Sequence, residues 1–129
     1  MHKNYIALAA ALGAIAIALG AFGAHGLKQI VAAETVQVFQ TGVQYQVYHV
    51  FALLAVGIIY EKHPNRLLKW SGVFFIAGIV LFSGSLYLLT VLKATDTEGL
   101  NGIGIITPFG GLFFIAGWIL LFLGIMKRN

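Results

Sequence analysis

Four long apolar stretches, nearly devoid of charge, constrain this chain more than any other feature: Tyr5 to Ala24, Thr41 to Tyr60, Leu67 to Leu92 and Ile105 to Met126. A hydrocarbon core about 30 Å thick takes about 20 helical residues to cross, and each stretch has that length. The runs are continuous rather than alternating, which excludes membrane strands, since only helices or closed barrels satisfy every backbone group in lipid. With 60% hydrophobic and 9% charged residues, water would not tolerate the surface. The predicted fold is all-α: a polytopic four-transmembrane-helix bundle formed by a single membrane domain, residues 1–129, with a short interfacial helix between the first two spans. The first span resembles a secretory signal in having Lys3 before an apolar run that ends in AFGA, but the run is longer than a signal core.

Four spans place both termini and the turn between the second and third spans on one side. That side carries Lys3, Lys62, Arg66, Lys69, Lys127 and Arg128, and the opposite side Lys28 and Lys93, with Glu34, Asp96 and Glu98 also there. By the positive-inside rule both termini are predicted to be cytoplasmic. The basic residues thus report orientation rather than nucleic-acid binding.

Between the first two spans, HGLKQIVAAETVQVFQ spaces Leu27, Ile30 and Val31 as one apolar helical face. His25 is predicted to end the first helix at the negative end of its dipole, with Gly26 as a glycine cap and Thr35 capping the second helix. Pro64 ends helical structure in the next turn, Trp70 suits the interfacial aromatic belt, and Pro108 is placed in the opening turn of the fourth helix. Small residues recur at helical spacing: Gly13 and Gly20 on the first span, Gly78 and Ser85 on the third, Gly110, Gly117 and Gly124 on the fourth. In lipid such seams carry helix packing by close backbone approach, so leucine at Gly13 or Gly117 is expected to be worse than alanine.

The stretch YQVYHVFALL, residues 45–54, places an imidazole inside a span. Gly42, Gln46, His49, Leu53 and Gly57 form one helical stripe, predicted to face inward because a polar side chain among lipid tails leaves its donors unmet. With the outer boundary at Thr41, Leu92 and Gly104, His49 lies about 12 Å deep and Ser83 about 13 Å, with Tyr87 higher on the same face. Ser83 or Tyr87 is therefore the expected partner of His49. Tyr45, Gln46, His49, Ser83, Tyr87 and, nearer the boundary, His25 are the candidate ligand-binding residues of a polar outer half. Intramembrane ionisable residues are costly and often functional; interhelical bonding is the plain structural alternative.

GAFGAHGL at 20–27, YQVYHVFALL at 45–54, FSGSLYLL at 82–89 and ITPFGGLFFIAGW at 106–118 resemble, in order, the motifs of the small membrane proteins of domain-of-unknown-function family 423. The resemblance covers nearly the whole chain. It implies a four-span protein of a family widespread in bacteria, hence a bacterial cytoplasmic membrane location, and makes His25, Gln46, His49, Ser83, Gly84, Ser85, Pro108, Gly110 and Gly111 its motif positions. Phe51 stands where the family commonly has a smaller residue. The resemblance supplies no activity.

The favoured function is that of a non-enzymatic bundle binding a small or lipid-like ligand, or a membrane partner or second copy of itself, through the pocket around His49. No cofactor or metal is assigned: the chain contains no cysteine, and neither a nucleophile–base pair nor a phosphate loop is visible. A proton-coupled transporter is the alternative. Small multidrug exporters are similar in size but carry a glutamate in the first span, where this chain reads AALGAIAIALG. A membrane enzyme, or a haem or metal binder using His25 or His49, is the further alternative.

Overall fold

The computed structural model describes residues 2–96 and 102–127, so that Thr97, Glu98 and Arg128 lie outside the described residues. Four helices are long and apolar enough to cross a membrane. The first, α1, spans Lys3–Ala24. His2 caps it, Nδ1 accepting from the Tyr5 amide at 3.3 Å, and the imidazole stacks on the Tyr5 ring at 3.8 Å. The His2 amide donates to the Gly57 carbonyl at 2.7 Å, fastening the start of α1 to the end of α2 (Ala33–Ile59).

The short connecting helix is a single 3-10 turn, Leu27–Gln29. Leu27 enters the core and Val31 packs beside it, but Ile30 is 59% exposed, so the three do not share one face. The reason is that the chain leaves the helical path at Ile30, with φ −120° and ψ −13°. Gly26 is not a left-handed cap either: its φ is −66°, and a Cβ there would lie 3.0 Å from the Phe22 ring. Thr35 does not cap α2; the helix starts earlier, from an extended Ala32 that offers no side-chain acceptor.

The third spanning helix is interrupted. Asn65 caps α3 (Arg66–Gly78), its Oδ1 accepting from the Leu68 amide at 3.0 Å. A π-helical turn, Ile79–Ser83, then leads into α4 (Gly84–Ala94). The Gly84 amide reaches back five residues to the Ile79 carbonyl, and the Ser85 hydroxyl donates to the Phe82 carbonyl at 2.8 Å. Such a turn inserts one residue and rotates everything beyond it. Upstream of it, Ser71, Gly72, Phe75 and Gly78 are buried; downstream, Ser85, Leu86 and Thr90 are. Asp96 follows α4 at φ 55°, the left-handed position that commonly ends a helix and that aspartate tolerates.

The last helix, α5, runs Ile103–Met126 and contains Pro108 in its second turn rather than its opening one. Asn65 also donates to the Gly124 carbonyl at 3.1 Å, tying the start of α3 to the end of α5. Helix α2 occupies the middle. On one side it meets α1; on the other it meets α3, the π turn and α4, which pack on α5.

Lipid gives helices little hydrophobic reason to associate, so the fit at small residues holds the pairs together. A Cβ on Gly78 would lie 2.3 Å from the Phe114 ring, on Gly117 2.7 Å from Phe75, and on Gly124 2.8 Å from Leu68. At Gly110 it would lie 2.4 Å from the Phe82 backbone nitrogen, so there one helix touches the main chain of another. On α1 the fit is looser at Gly20 and Gly13, where the same atom would be 3.3 Å from Val43 and 3.5 Å from Val50, but close at Gly23, 2.6 Å from Gln40 Nε2. The hydroxyls on these seams bond across them or beside them: Ser71 donates to the Gly117 carbonyl at 2.7 Å, and Ser85 lies 2.6 Å from Thr107 Oγ1.

Candidate functional site

The inward stripe of α2 is as the period requires: Gly42, Gln46, His49, Leu53 and Gly57 are all buried. Its polar members bond to groups other than those expected. His49 Nδ1 lies 2.7 Å from the Tyr45 carbonyl one turn earlier, and Nε2 lies 3.1 Å from Trp118 Nε1 on α5. An indole nitrogen only donates, so Nε2 accepts and Nδ1 carries the hydrogen that reaches Tyr45. The ring is thereby a neutral tautomer set by geometry, with both nitrogens engaged. It stacks on Phe114 at 3.5 Å between centroids and nearly parallel, with Phe75 at 5.6 Å.

Ser83 and Tyr87 belong to a second group, one to two turns away along α2. Ser83 donates to the Gly42 carbonyl at 2.6 Å. The Tyr87 hydroxyl donates to Gln46 Oε1 at 2.6 Å, and Gln46 Nε2 donates to the Leu12 carbonyl of α1 at 2.8 Å. Gln46 thus joins three helices. Neither Ser83 nor Tyr87 is the partner of His49, and the depth estimate is the cause. Because α2 begins at Ala33, eight positions before Thr41, and ends at Ile59, His49 sits in the half nearer Ile59 and the chain termini, not in the half nearer the 3-10 turn.

His25 joins neither group. It is exposed at the end of α1; since Gly13 packs on Val50, His25 lies twelve residues, or about 18 Å, from that level. Tyr45 is 37% exposed and stacks on Phe82 at 4.6 Å. Tyr45, the half-buried Phe82 and the 46%-exposed Trp118 make an aromatic face between α2 and α5, with the buried Phe114 and His49 behind it.

Sequence reasoning missed Trp118. The usable signal was its depth, since tryptophan favours membrane interfaces and this one lies fifteen residues into a 24-residue helix. It missed as well that Tyr5 inserts against Gly72, where a Cβ would lie 2.2 Å from the ring, and donates to the Lys69 carbonyl at 2.6 Å. Every buried side-chain nitrogen and oxygen among the described residues has a hydrogen-bond partner.

The sequence profile of the family described as "Protein of unknown function (DUF423)" matches residues 19–111, which contain Gln46, His49, Ser83 and Tyr87 but not Trp118. The chain belongs to this family. The UPF0382 membrane protein SSP2132 of Staphylococcus saprophyticus is 41% identical over 97% of this chain and 98% of its own length. The UPF0382 membrane protein YwdK of Bacillus subtilis is 40% identical over 97% and 98%. The UPF0382 inner membrane protein YgdD of Escherichia coli K12 is 38% identical over 98% and 93%. No solved structure matches. With four helices able to span and relatives that are membrane proteins across its length, this DUF423 chain is a small integral membrane protein.

Proposed function

We propose that the protein is non-enzymatic and holds a lipid-like ligand, drawn laterally from the bilayer, against the aromatic face between α2 and α5. One observation carries this reading. An ionisable side chain, His49, is bonded to an indole that is itself half exposed on the outside of the bundle. Intramembrane ionisable groups are expensive and usually functional, and Tyr45 and Trp118 supply large rigid apolar surfaces beside it. Gln46, Tyr87 and Ser83 hold the neighbouring level of α2 in place, and His25 takes no part. The test is purification under delipidating conditions followed by mass spectrometry of retained small molecules. The wild type should retain an amphiphile near one per chain, and Tyr45→Ala should lose it while melting within a few degrees of wild type. A wild type that retains nothing defeats the proposal.

A second reading, that His49 is an interhelical clamp, is favoured by the complete pairing of the buried polar atoms. His49→Gln keeps a donor and an acceptor, whereas His49→Leu leaves the Trp118 N–H without an acceptor, at a cost of about 1–3 kcal/mol. Loss of stability with Leu alone marks a clamp. Loss of the retained ligand with both variants at preserved stability marks a site.

The same reading places both termini in the cytoplasm of a bacterial cell, supported by Lys3, Lys62, Arg66, Lys69 and Lys127 at one end of the bundle against Lys28 and Lys93 at the other. In intact cells a single cysteine at Lys28 should react with an impermeant thiol reagent and one at His63 should not. The reverse pattern inverts the topology.

A further inference from the structure

At the end of the bundle away from the termini, a cleft of about 580 Å³ lies between the 3-10 turn and the first turns of α2, lined by Lys28, Val31, Ala33, Val36, Gln37 and Gln40. We propose that this cleft holds an anionic phospholipid of the adjoining leaflet, one acyl chain against Val31, Ala33 and Val36 and the phosphate at Lys28. The site is separate from the aromatic face around His49, so either can fail without the other.

Three features select this occupant. The volume falls within the range of about 300–1,000 Å³ typical of small-molecule sites, and apart from Lys28 its wall is three aliphatic residues and two glutamines, one of which, Gln40, donates to the Gly20 carbonyl at 3.3 Å. Depth is the second feature. The 22 residues of α1 cover about 33 Å, so Lys28, four residues beyond its end, stands at head-group level with the apolar wall just below. Charge is the third. Lys28 is exposed and has no ion pair among the described residues. Glu34, the acid nearest in sequence, lines a different cleft with Thr90 and Lys93, and among the described residues no carboxylate lines this one. A soluble anion would make no use of the aliphatic wall, and a neutral lipid none of Lys28.

The chain has no cysteine, so Val36→Cys provides a single thiol inside the cleft. Its reaction with N-ethylmaleimide is followed in nanodiscs of phosphatidylcholine, with and without phosphatidylglycerol. Phosphatidylglycerol should slow the reaction, and adding Lys28→Gln should raise the amount needed for equal protection about fivefold, the effect expected of one lysine at head-group depth. Lys93→Gln should leave the protection unchanged. The proposal is overturned by equal rates in the two lipids, by protection indifferent to Lys28→Gln, or by Lys93→Gln acting as strongly, which would indicate general surface attraction. Ala33→Cys offers a second thiol in the same cleft and must give the same order of rates.

Discussion

Gly110→Ala should lower the melting temperature in detergent sharply, by the equivalent of about 3 kcal/mol, at the top of the range for overpacked cores. The added methyl would sit 2.4 Å from the Phe82 nitrogen and 2.7 Å from its Cα. Main chain cannot rotate aside as a side chain does, so α5 must move away from the π turn or the turn must reform. The adjacent Gly111→Ala is the control: nothing lies within 4 Å of its Cβ position, and alanine favours the helix. It should be neutral or slightly stabilising. Gly13→Ala should also be mild, its methyl meeting Val50 at an ordinary 3.5 Å. Equal melting of the Gly110 and Gly111 variants would show that the approach at Phe82 does not hold the helices.

The second large effect is expected at Gln46, which is 2% exposed and bridges the Leu12 carbonyl of α1 and the Tyr87 hydroxyl of α4. Gln46→Leu removes both bonds and leaves the Tyr87 hydroxyl without its acceptor, a cost of about 1–3 kcal/mol. Tyr87→Phe in that background should recover part of the loss, because removing both partners leaves no unpaired group between the helices. A double-mutant cycle measures this directly as a coupling of about 0.5–3 kcal/mol. Strict additivity of the two substitutions would mean that the bond contributes nothing to stability.

Much of the candidate site was legible as a set of residues and little of it as a set of contacts. The stripe Gly42, Gln46, His49, Leu53 and Gly57 follows from period alone, and all five are buried. That Gln46 and His49 would bond inside the bundle follows from the cost of an unmet donor in lipid. Which groups they meet depends on how far α2 is shifted along its neighbours, and that shift is hidden in sequence. The partners of Ser83 and Tyr87 lie seven and three residues before His49, about 10 Å and 4.5 Å along α2. Ser83 meets the Gly42 carbonyl, and His49 meets Trp118.

The sequence by itself determined the number of spanning helices, their inward faces and the small-residue seams, because each of these is a local or periodic property: the length of an apolar run, a repeat of three and four, the absence of a side chain. It determined family membership as well, through motifs distributed along the chain. Only the tertiary structure decided the π turn at Ile79–Ser83, the pairing of His49 with Trp118, the different tolerances expected of Gly110 and Gly111, and the cleft beside Lys28. The physical reason is common to all four. Each arises where two segments meet at a particular offset and rotation, and neither segment alone encodes how far it slides along the other.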